Sequence, residues 1–346
     1  MASQGGIDWA FAELIGIGSL LLDGVSVRLA GQDSRRGTFV QRHSVLVDRV
    51  TGREWTPLAH LDAGQARFWA YDSLLSEFAA MGFEYGYSVE RPDVLVMWEA
   101  QFGDFANGGQ SVIDEFVASG EQKWGERSGV VLLLPHGYEG QGPDHSSGRI
   151  ERFLSLCAQN NMTVSMPSVP SNYFHLLRWQ ALNGQHKPLI VFTPKSMLRL
   201  KAATSGVEEF TAGTFRPVIG DSSVDPAGIR KVLLCSGKIS YDLEAARSRL
   251  GRTDTAIVRV ERLYPLPVEE LTAALAAYPA EASLHWVQEE PLNQGAWPFM
   301  ALHLPRHLGG RMLYPIARPE SSAPAGGSHA RHEREQAALI EQALGN

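Results

Sequence analysis

Short apolar-rich runs recur before residue 200, at Val25 to Leu29, Val94 to Glu99, Val130 to Pro135, Thr163 to Pro167 and Leu189 to Pro194, and two stretches of them, Val130 to Leu134 and Leu189 to Phe192, are apolar without a break. A strand with one wet face alternates apolar and polar residues, whereas a strand covered on both faces does not need to. Such runs therefore belong to a mostly parallel sheet with helices packed on either side. Helical spacing of apolar residues fills the intervals and predicts helices over Ile7 to Leu22, Ser73 to Tyr85, Gln110 to Trp124 and Arg149 to Gln159. That rhythm defines one α/β unit over residues 1–200. A polar, aperiodic passage, 201–228, reads as a linker. A second α/β unit, 229–346, follows, with strands at Lys231 to Ser236, Ala256 to Val260, Ser283 to Gln288 and Arg311 to Ile316. Its helices fall at Leu243 to Leu250, Val268 to Ala277 and His329 to Leu344.

Composition narrows the function classes. The 346 residues carry 31 Lys plus Arg against 38 Asp plus Glu, a net charge of −7, which gives no attraction to nucleic-acid phosphates or anionic membranes. The 2 cysteines, Cys157 and Cys235, are too far apart in sequence for a close thiolate motif, which points to a reducing compartment. The apolar stretch Leu14 to Leu22 is too short to span a bilayer and follows Asp8 and Glu13 where an export signal would carry bases. The expectation is a cytoplasmic protein with no membrane and no nucleic-acid partner.

Five segments carry chemistry. Glu77 sits in a helical pattern among Leu74, Leu75, Phe78, Ala79 and Met81. A carboxylate in such company is either a helix-start cap or a group with a raised pKa that exchanges a proton with a nitrogen heterocycle. Phe102 and Phe105, beside Gln101 and Asp104, occupy a glycine-rich turn after a strand, where ligands of open α/β sheets gather; the rings either stack on a planar ligand or fill the core. The loop after Val130 to Pro135 holds His136, Asp144 and His145 among Gly137, Gly140 and Gly142. Its spacing fits neither a dinucleotide fingerprint, nor a P-loop, nor a zinc site, so no metal is assigned, and its histidines read as acid, base or carboxylate-binding groups. Arg35, Arg36 and Arg42 form either a solvated loop or the edge of an anion-binding cleft, and Glu289 with Glu290 reads as structural or interfacial.

Taken together, the strings GQDSRRGTF, EAQFGDFANGGQSVIDEF, LLPHGYEGQGPDHSS, TPKSMLR and WVQEEPLNQGAW resemble the thiamine-diphosphate-dependent decarboxylating component of 2-oxoglutarate dehydrogenase, most closely the actinobacterial multifunctional type. The resemblance runs from about Ile7 to the final helix. It implies two three-layer α/β domains, a transketolase-like pyrimidine-binding domain followed by a transketolase C-terminal-like domain. It also implies that Glu77 binds the aminopyrimidine ring nitrogen of thiamine diphosphate and shares its proton, and that Phe105 stacks on the ring with Gln101 and Phe102 in the same wall. Leu75 would brace the bent cofactor, and His145 would face the reacting centre and contact the 2-oxo acid.

One departure is large. The family's Gly-Asp-Gly motif, whose residues hold Mg2+ and the diphosphate, is missing: Gly103-Asp104 and Gly220-Asp221 are the only Gly-Asp pairs, and neither is followed by Gly. The resemblance therefore implies a half-site that shares cofactor and metal with a separate diphosphate-binding subunit, in a dimer or heterotetramer, with an acyltransferase component as a further partner. Two other outcomes stay open at this level, a thiamine-dependent carboligase or acyl-transfer subunit and a non-catalytic regulatory module.

Overall fold

The apolar-rich runs become strands, and those without a break are buried on both sides. In the computed structural model, which describes residues 6–345, Ser26–Gly31 (β1), Phe68–Asp72 (β2), Val94–Glu99 (β3), Val131–Pro135 (β4) and Leu189–Thr193 (β5) run parallel in the order β5-β4-β3-β1-β2. Every residue of β3, β4 and β5 is buried. Strand β2 was not expected from the sequence: FWAYD lies at the edge of this array and keeps its last two residues exposed. These strands belong to a first compact unit made of residues 6–135, 161–163 and 169–215.

Helix Trp9–Leu22 (α1) starts where Asp8 accepts the Phe11 N–H at 2.8 Å. It packs on Pro170–Leu182, where Trp9 stacks on Tyr173 with ring centroids 4.7 Å apart. That second helix escaped the sequence reading although Pro170 stands at its start, a position where a missing N–H costs nothing. Glu77–Glu90 (α2) begins four residues later than expected because Ser76 is its cap, accepting the Ala79 N–H at 3.3 Å; Pro170–Leu182 is α3.

The expected single helix over Gln110 to Trp124 is corrected. Tight turns over Gly103–Gly109 lead into Gln110–Val112, a π-helical turn Ile113–Val117 and a short helix Gly120–Trp124. The break has a physical cause. Ser119 Oγ donates to the carbonyls of Asp114 and Glu115 at 2.7 and 3.0 Å, diverting the ladder, and the chain that follows keeps glycine at 120 because a Cβ there would lie 2.3 Å from the Tyr85 hydroxyl.

The second unit comprises 136–160, 164–168 and 216–345. Its strands Val218–Ile219 (β6), Lys231–Cys235 (β7), Thr255–Val260 (β8), Ser283–Pro291 (β9) and Leu313–Arg318 (β10) take the order β10-β9-β7-β8-β6, with β6 antiparallel and the others parallel. Helices Ile239–Leu250 (α4), Val268–Leu275 (α5), Trp297–His303 (α6) and His329–Leu344 (α7) belong to it, as does the short helix Ile150–Ser155, which ends before the expected Gln159. One core cluster joins Leu233, Ile257 and Val287 of the sheet to Leu243 of α4 and Leu339 of α7. The passage read as a linker contains a short helix, Val207–Thr211, as well as β6. Val164 and Ser165 pair antiparallel with Tyr264 and Arg262. Among the described residues no helix is long and apolar enough to cross a membrane.

The anion-cleft reading of the arginine loop fails for Arg42. Arg42 is buried, its side chain only 1% exposed, and its guanidinium reaches Glu13 at 2.6 Å and both oxygens of Glu99 at 2.7 Å. Tyr173 donates to the other Glu13 oxygen at 2.8 Å, and the Ser34 carbonyl accepts from Arg42 at 2.8 Å. Arg35 pairs with Glu54 at 2.6 Å and Arg36 with Asp33 at 3.4 Å, so each guanidinium of this loop is paired within the chain. Truncating Arg42 strands two buried carboxylates. Arg42→Ala is expected to cost about 3–5 kcal/mol in urea unfolding; a loss within the error of the extrapolation would show that this cluster is not buried in solution.

Candidate active site

Register brings the site residues of the first unit together. Gly31 of β1 lies opposite Asp72 of β2 on one side and Glu99 of β3 on the other, so three loops leave the sheet side by side at its carboxyl end. The loop after β1 supplies Gln32 and Asp33, the one after β2 leads into α2 and Glu77, and the one after β3 carries Gln101, Phe102 and Phe105. Gly31 cannot be replaced without disruption, because a Cβ there would sit 2.1 Å from the Glu99 carbonyl oxygen.

Glu77 is half-buried in the first turn of α2, where the helix N-terminus favours negative charge. Gln32 Nε2 donates to its Oε1 at 3.1 Å. On the other side of the carboxyl group, a Cβ built at Gly108 would approach Oε2 to 3.1 Å, and one at Gly109 would meet Met81 Cε at 2.8 Å. Gly108 thus keeps its own side chain away from the second oxygen, and Gly109 leaves room for Met81. The hydrocarbon enclosure expected for this carboxylate is not found: Leu74, Leu75 and Phe78 are 78%, 87% and 55% exposed. The cause is the late helix start, which leaves Leu74 and Leu75 in the preceding turn and turns Phe78 outward.

Gln101 Nε2 donates to Asp33 at 3.3 Å, tying the β3 loop to the β1 loop. Phe102 stands edge-on between Phe39 and Phe105, with centroid distances of 5.5 and 5.9 Å. Phe105 is half-buried. The structure therefore gathers Glu77, Gln101, Phe102 and Phe105 around neighbouring loops, while Leu75 stands exposed with nothing in its own unit covering it. Gln32 and Asp33 were not singled out from the sequence. The signal was present, a Gln-Asp pair directly after a strand, but their partners lie 45 and 68 positions away and become visible only with the register.

His145 belongs to the second unit, half-buried on the loop that follows Pro135. That loop is closed at its base by Gly137 N–H to the Ser146 carbonyl at 2.9 Å. His136, at its start, is buried and lies with Nε2 2.7 Å from Glu290 Oε1, while its Nδ1 accepts the Gly148 N–H at 3.0 Å. Adjacent residues of a strand point to opposite faces, and Glu289 accordingly turns to Lys238 at 2.7 Å. Both glutamates are buried and paired within the unit, which selects the structural reading made from the sequence. Burial pushes the Glu290 carboxyl up, but the His136 hydrogen bond, helped by a backbone N–H and the Arg318 charge, outweighs it and holds the group below its ordinary value. Burial raises the Glu289 carboxyl, only partly opposed by Lys238, while Glu289 and Asp242 overcome burial to hold the Lys238 ammonium above its usual pKa. Among the described residues no three His, Cys, Asp or Glu side chains come together as a metal site.

The parallel array places a half-buried helix-start carboxylate and an aromatic wall together at its carboxyl end. The family model "Transketolase, pyrimidine binding domain" matches residues 5–201, and the chain belongs to this family. The rest of the chain makes the assignment more specific, since residues 204–344 match "2-oxoglutarate dehydrogenase C-terminal". Across its full length the chain is 56% identical to the multifunctional 2-oxoglutarate metabolism enzyme of Mycolicibacterium vanbaalenii. It is 54% identical, over 99% of its length, to the enzymes of the same name from Mycobacterium sp. strains KMS and JLS. The chain spans 29% of the first of these relatives and 28% of the other two.

The depressed Glu290 pKa fixes a pH effect. A carboxyl whose folded pKa lies below its unfolded value adds stability above that unfolded value, about 4.3 for Glu, and loses it as pH falls through the folded pKa. Between pH 7 and pH 3, Glu290→Gln should therefore lose less melting temperature than the parent chain (scanning calorimetry); identical acid limbs would contradict the pairing with His136.

Proposed function

We propose that this chain supplies the pyrimidine-binding half of a thiamine-diphosphate-dependent 2-oxo acid decarboxylase or dehydrogenase, acting on 2-oxoglutarate. The observation that carries the reading is the setting of Glu77, a half-buried carboxylate at the carboxyl end of parallel strands. One of its oxygens is held by Gln32, and the other lies beside side-chain-free Gly108. This fits a heterocycle with a ring nitrogen to be hydrogen-bonded and a flat face to be stacked. When bound, thiamine diphosphate supplies a carbon nucleophile for the 2-oxo group and a sink for the electrons left by CO2.

The chain's own residues would hold, orient and exchange a proton. Glu77 donates or accepts that proton at a carboxylate oxygen while Gln32 fixes the group's orientation. Phe105 offers the stacking face, Phe102 buttresses it edge-on, and Gln101 keeps the wall tied to the neighbouring loop. Exposed Leu75 braces the cofactor, and His145 binds the carboxylate or 2-oxo group of the substrate. The Gly-Asp-Gly motif is not among these 346 residues, and an oligoanion needs a metal and oriented donors. A separate diphosphate-binding subunit holds Mg2+ and that end of the cofactor, in a cytoplasmic hetero-oligomer that passes its acyl group to an acyltransferase component. Carboligation or acyl transfer by the same half-site is the alternative outcome, decided by the acceptor.

The test mixes the purified chain with its candidate diphosphate-binding subunit, Mg2+, thiamine diphosphate and 2-oxoglutarate, and follows CO2 release. Either protein alone should turn over little, and Glu77→Ala should lower the rate of the mixture by about 10²–10⁴-fold, the scale of a lost general acid–base group. Undiminished turnover by Glu77→Ala would remove the proton role and with it the reading.

A further inference from the structure

The buried His136–Glu290 pair is not used by the chemistry above. A His–Glu contact of 2.7 Å with both side chains nearly inaccessible is an expensive way to fill a core, since apolar residues of similar volume fill it without desolvating a charge. Its geometry shows what the pair holds. The Nδ1 of His136 accepts the Gly148 N–H at 3.0 Å, so the ring proton sits on Nε2 and is donated to Glu290 Oε1. A single imidazole is thereby fixed on one edge by strand β9 and grips the far end of its own loop with the other. A second tie, Gly137 N–H to the Ser146 carbonyl at 2.9 Å, lies just inside the first. Ser146 Oγ donates back to the Gly142 carbonyl at 2.7 Å, which tightens the turn holding residues 143–145. His145 is next to one tie and three residues from the other.

We infer that His136 and Glu290 form a positioning pair, with Glu290 fixing the tautomer and orientation of the His136 ring so that the loop 137–148 presents the His145 imidazole in one working orientation. The inference rests on the proposed role of His145 but is tested separately from it. Neither member touches substrate or cofactor; both act through the loop. Removing the acceptor at position 290 frees the His136 ring to rotate or change tautomer, releases the Gly148 N–H and loosens the loop. An uncharged acceptor of the same length preserves the arrangement.

The experiment uses four variants in two readouts. Hydrogen–deuterium exchange of the 137–148 peptide is read on the chain, and kcat and KM for 2-oxoglutarate on its mixture with the diphosphate-binding subunit, Mg2+ and thiamine diphosphate. Glu290→Leu is expected to speed exchange of that peptide by about tenfold, the scale of one lost buried hydrogen bond, with strands β7 and β8 unchanged, and to lower kcat/KM by a similar factor. Glu290→Gln should stay within about twofold of the parent in both readouts because its amide oxygen still accepts from Nε2. Should Glu290→Leu fail to fold, His136→Asn takes its place under the same criteria, since its amide oxygen can accept the Gly148 N–H in place of Nδ1 but the shorter side chain has no donor at the Nε2 position that serves Glu290. Loop exchange unchanged in the disabling variant, or accelerated with kcat/KM intact, overturns the positioning role, and so does Glu290→Gln behaving like Glu290→Leu. If Glu77→Ala and the parent mixture are equally inactive toward 2-oxoglutarate, the functional reading fails instead, while the exchange result still decides whether the pair holds the loop.

Discussion

A single guanidinium in the interior fixes the frame of the first unit. Arg42 costs much to desolvate, and that cost is offset only because two carboxylates, a carbonyl and the supporting Tyr173 hydroxyl satisfy the cluster. The partners come from different elements: Glu13 from α1, Glu99 from the last position of β3, and the Ser34 carbonyl from the loop after β1. Helix, strand end and loop are thus held at one point. The same loop carries Gln32 and Asp33, which bond Glu77 and Gln101. The orientation of the candidate catalytic carboxylate therefore depends on a buried ion cluster on the other side of that loop, and a change at Glu13, far from Glu77 in sequence, reaches the site through Arg42.

The second unit also stabilises its interior with satisfied polar groups, but concentrates them in one strand segment. Gln288 accepts from Trp286 Nε1 at 3.1 Å and from the Trp297 N–H at 2.8 Å while donating to the Gln294 carbonyl at 2.8 Å. Glu289 and Glu290 follow, one engaging Lys238 and Gln336, the other His136. Arg318 donates to the Glu289 carbonyl at 2.7 Å and to Glu335 of α7 at 2.7 Å, which anchors the last helix to the same segment. Fully partnered networks of this kind specify one arrangement where an apolar core would tolerate several.

Strands β3, β4 and β5, buried along their whole length, were legible in the sequence because a near-absence of alternation is a direct consequence of that burial, and β1, whose residues 25–29 alternate, also stands close to where its apolar residues placed it. Elements dominated by other forces were not. β2 is an aromatic edge strand without a clean period, α3 has a polar, aromatic-rich sequence starting on Pro170, and the segment after Gln110 is unwound where Ser119 takes up helix carbonyls. For the site, residue types and order were readable, which is why Glu77, Gln101, Phe102 and Phe105 fall on adjoining loops. Exposure was not readable. Leu74, Leu75 and Phe78 look like core residues in a linear pattern, and only the placement of the Ser76 cap shows that they face outward. Arg42 failed in the opposite sense, a charged residue in a polar stretch that turned out to be interior because its carboxylate partners lie 29 and 57 residues away.

The back-to-back glutamates of β9 give that strand a double alignment check. Were the strand to shift so that Glu289 took the place of Glu290, His136 would still meet a carboxylate, but Lys238 would face the neutral amide of Gln288. Shifted the other way, Lys238 would keep its counter-ion while His136 would confront Pro291, which has nothing to accept its proton. Either error leaves one interior charge or proton stranded, so insertions or deletions between Trp286 and Pro291 should be far less tolerated than substitutions of equal bulk elsewhere on the sheet.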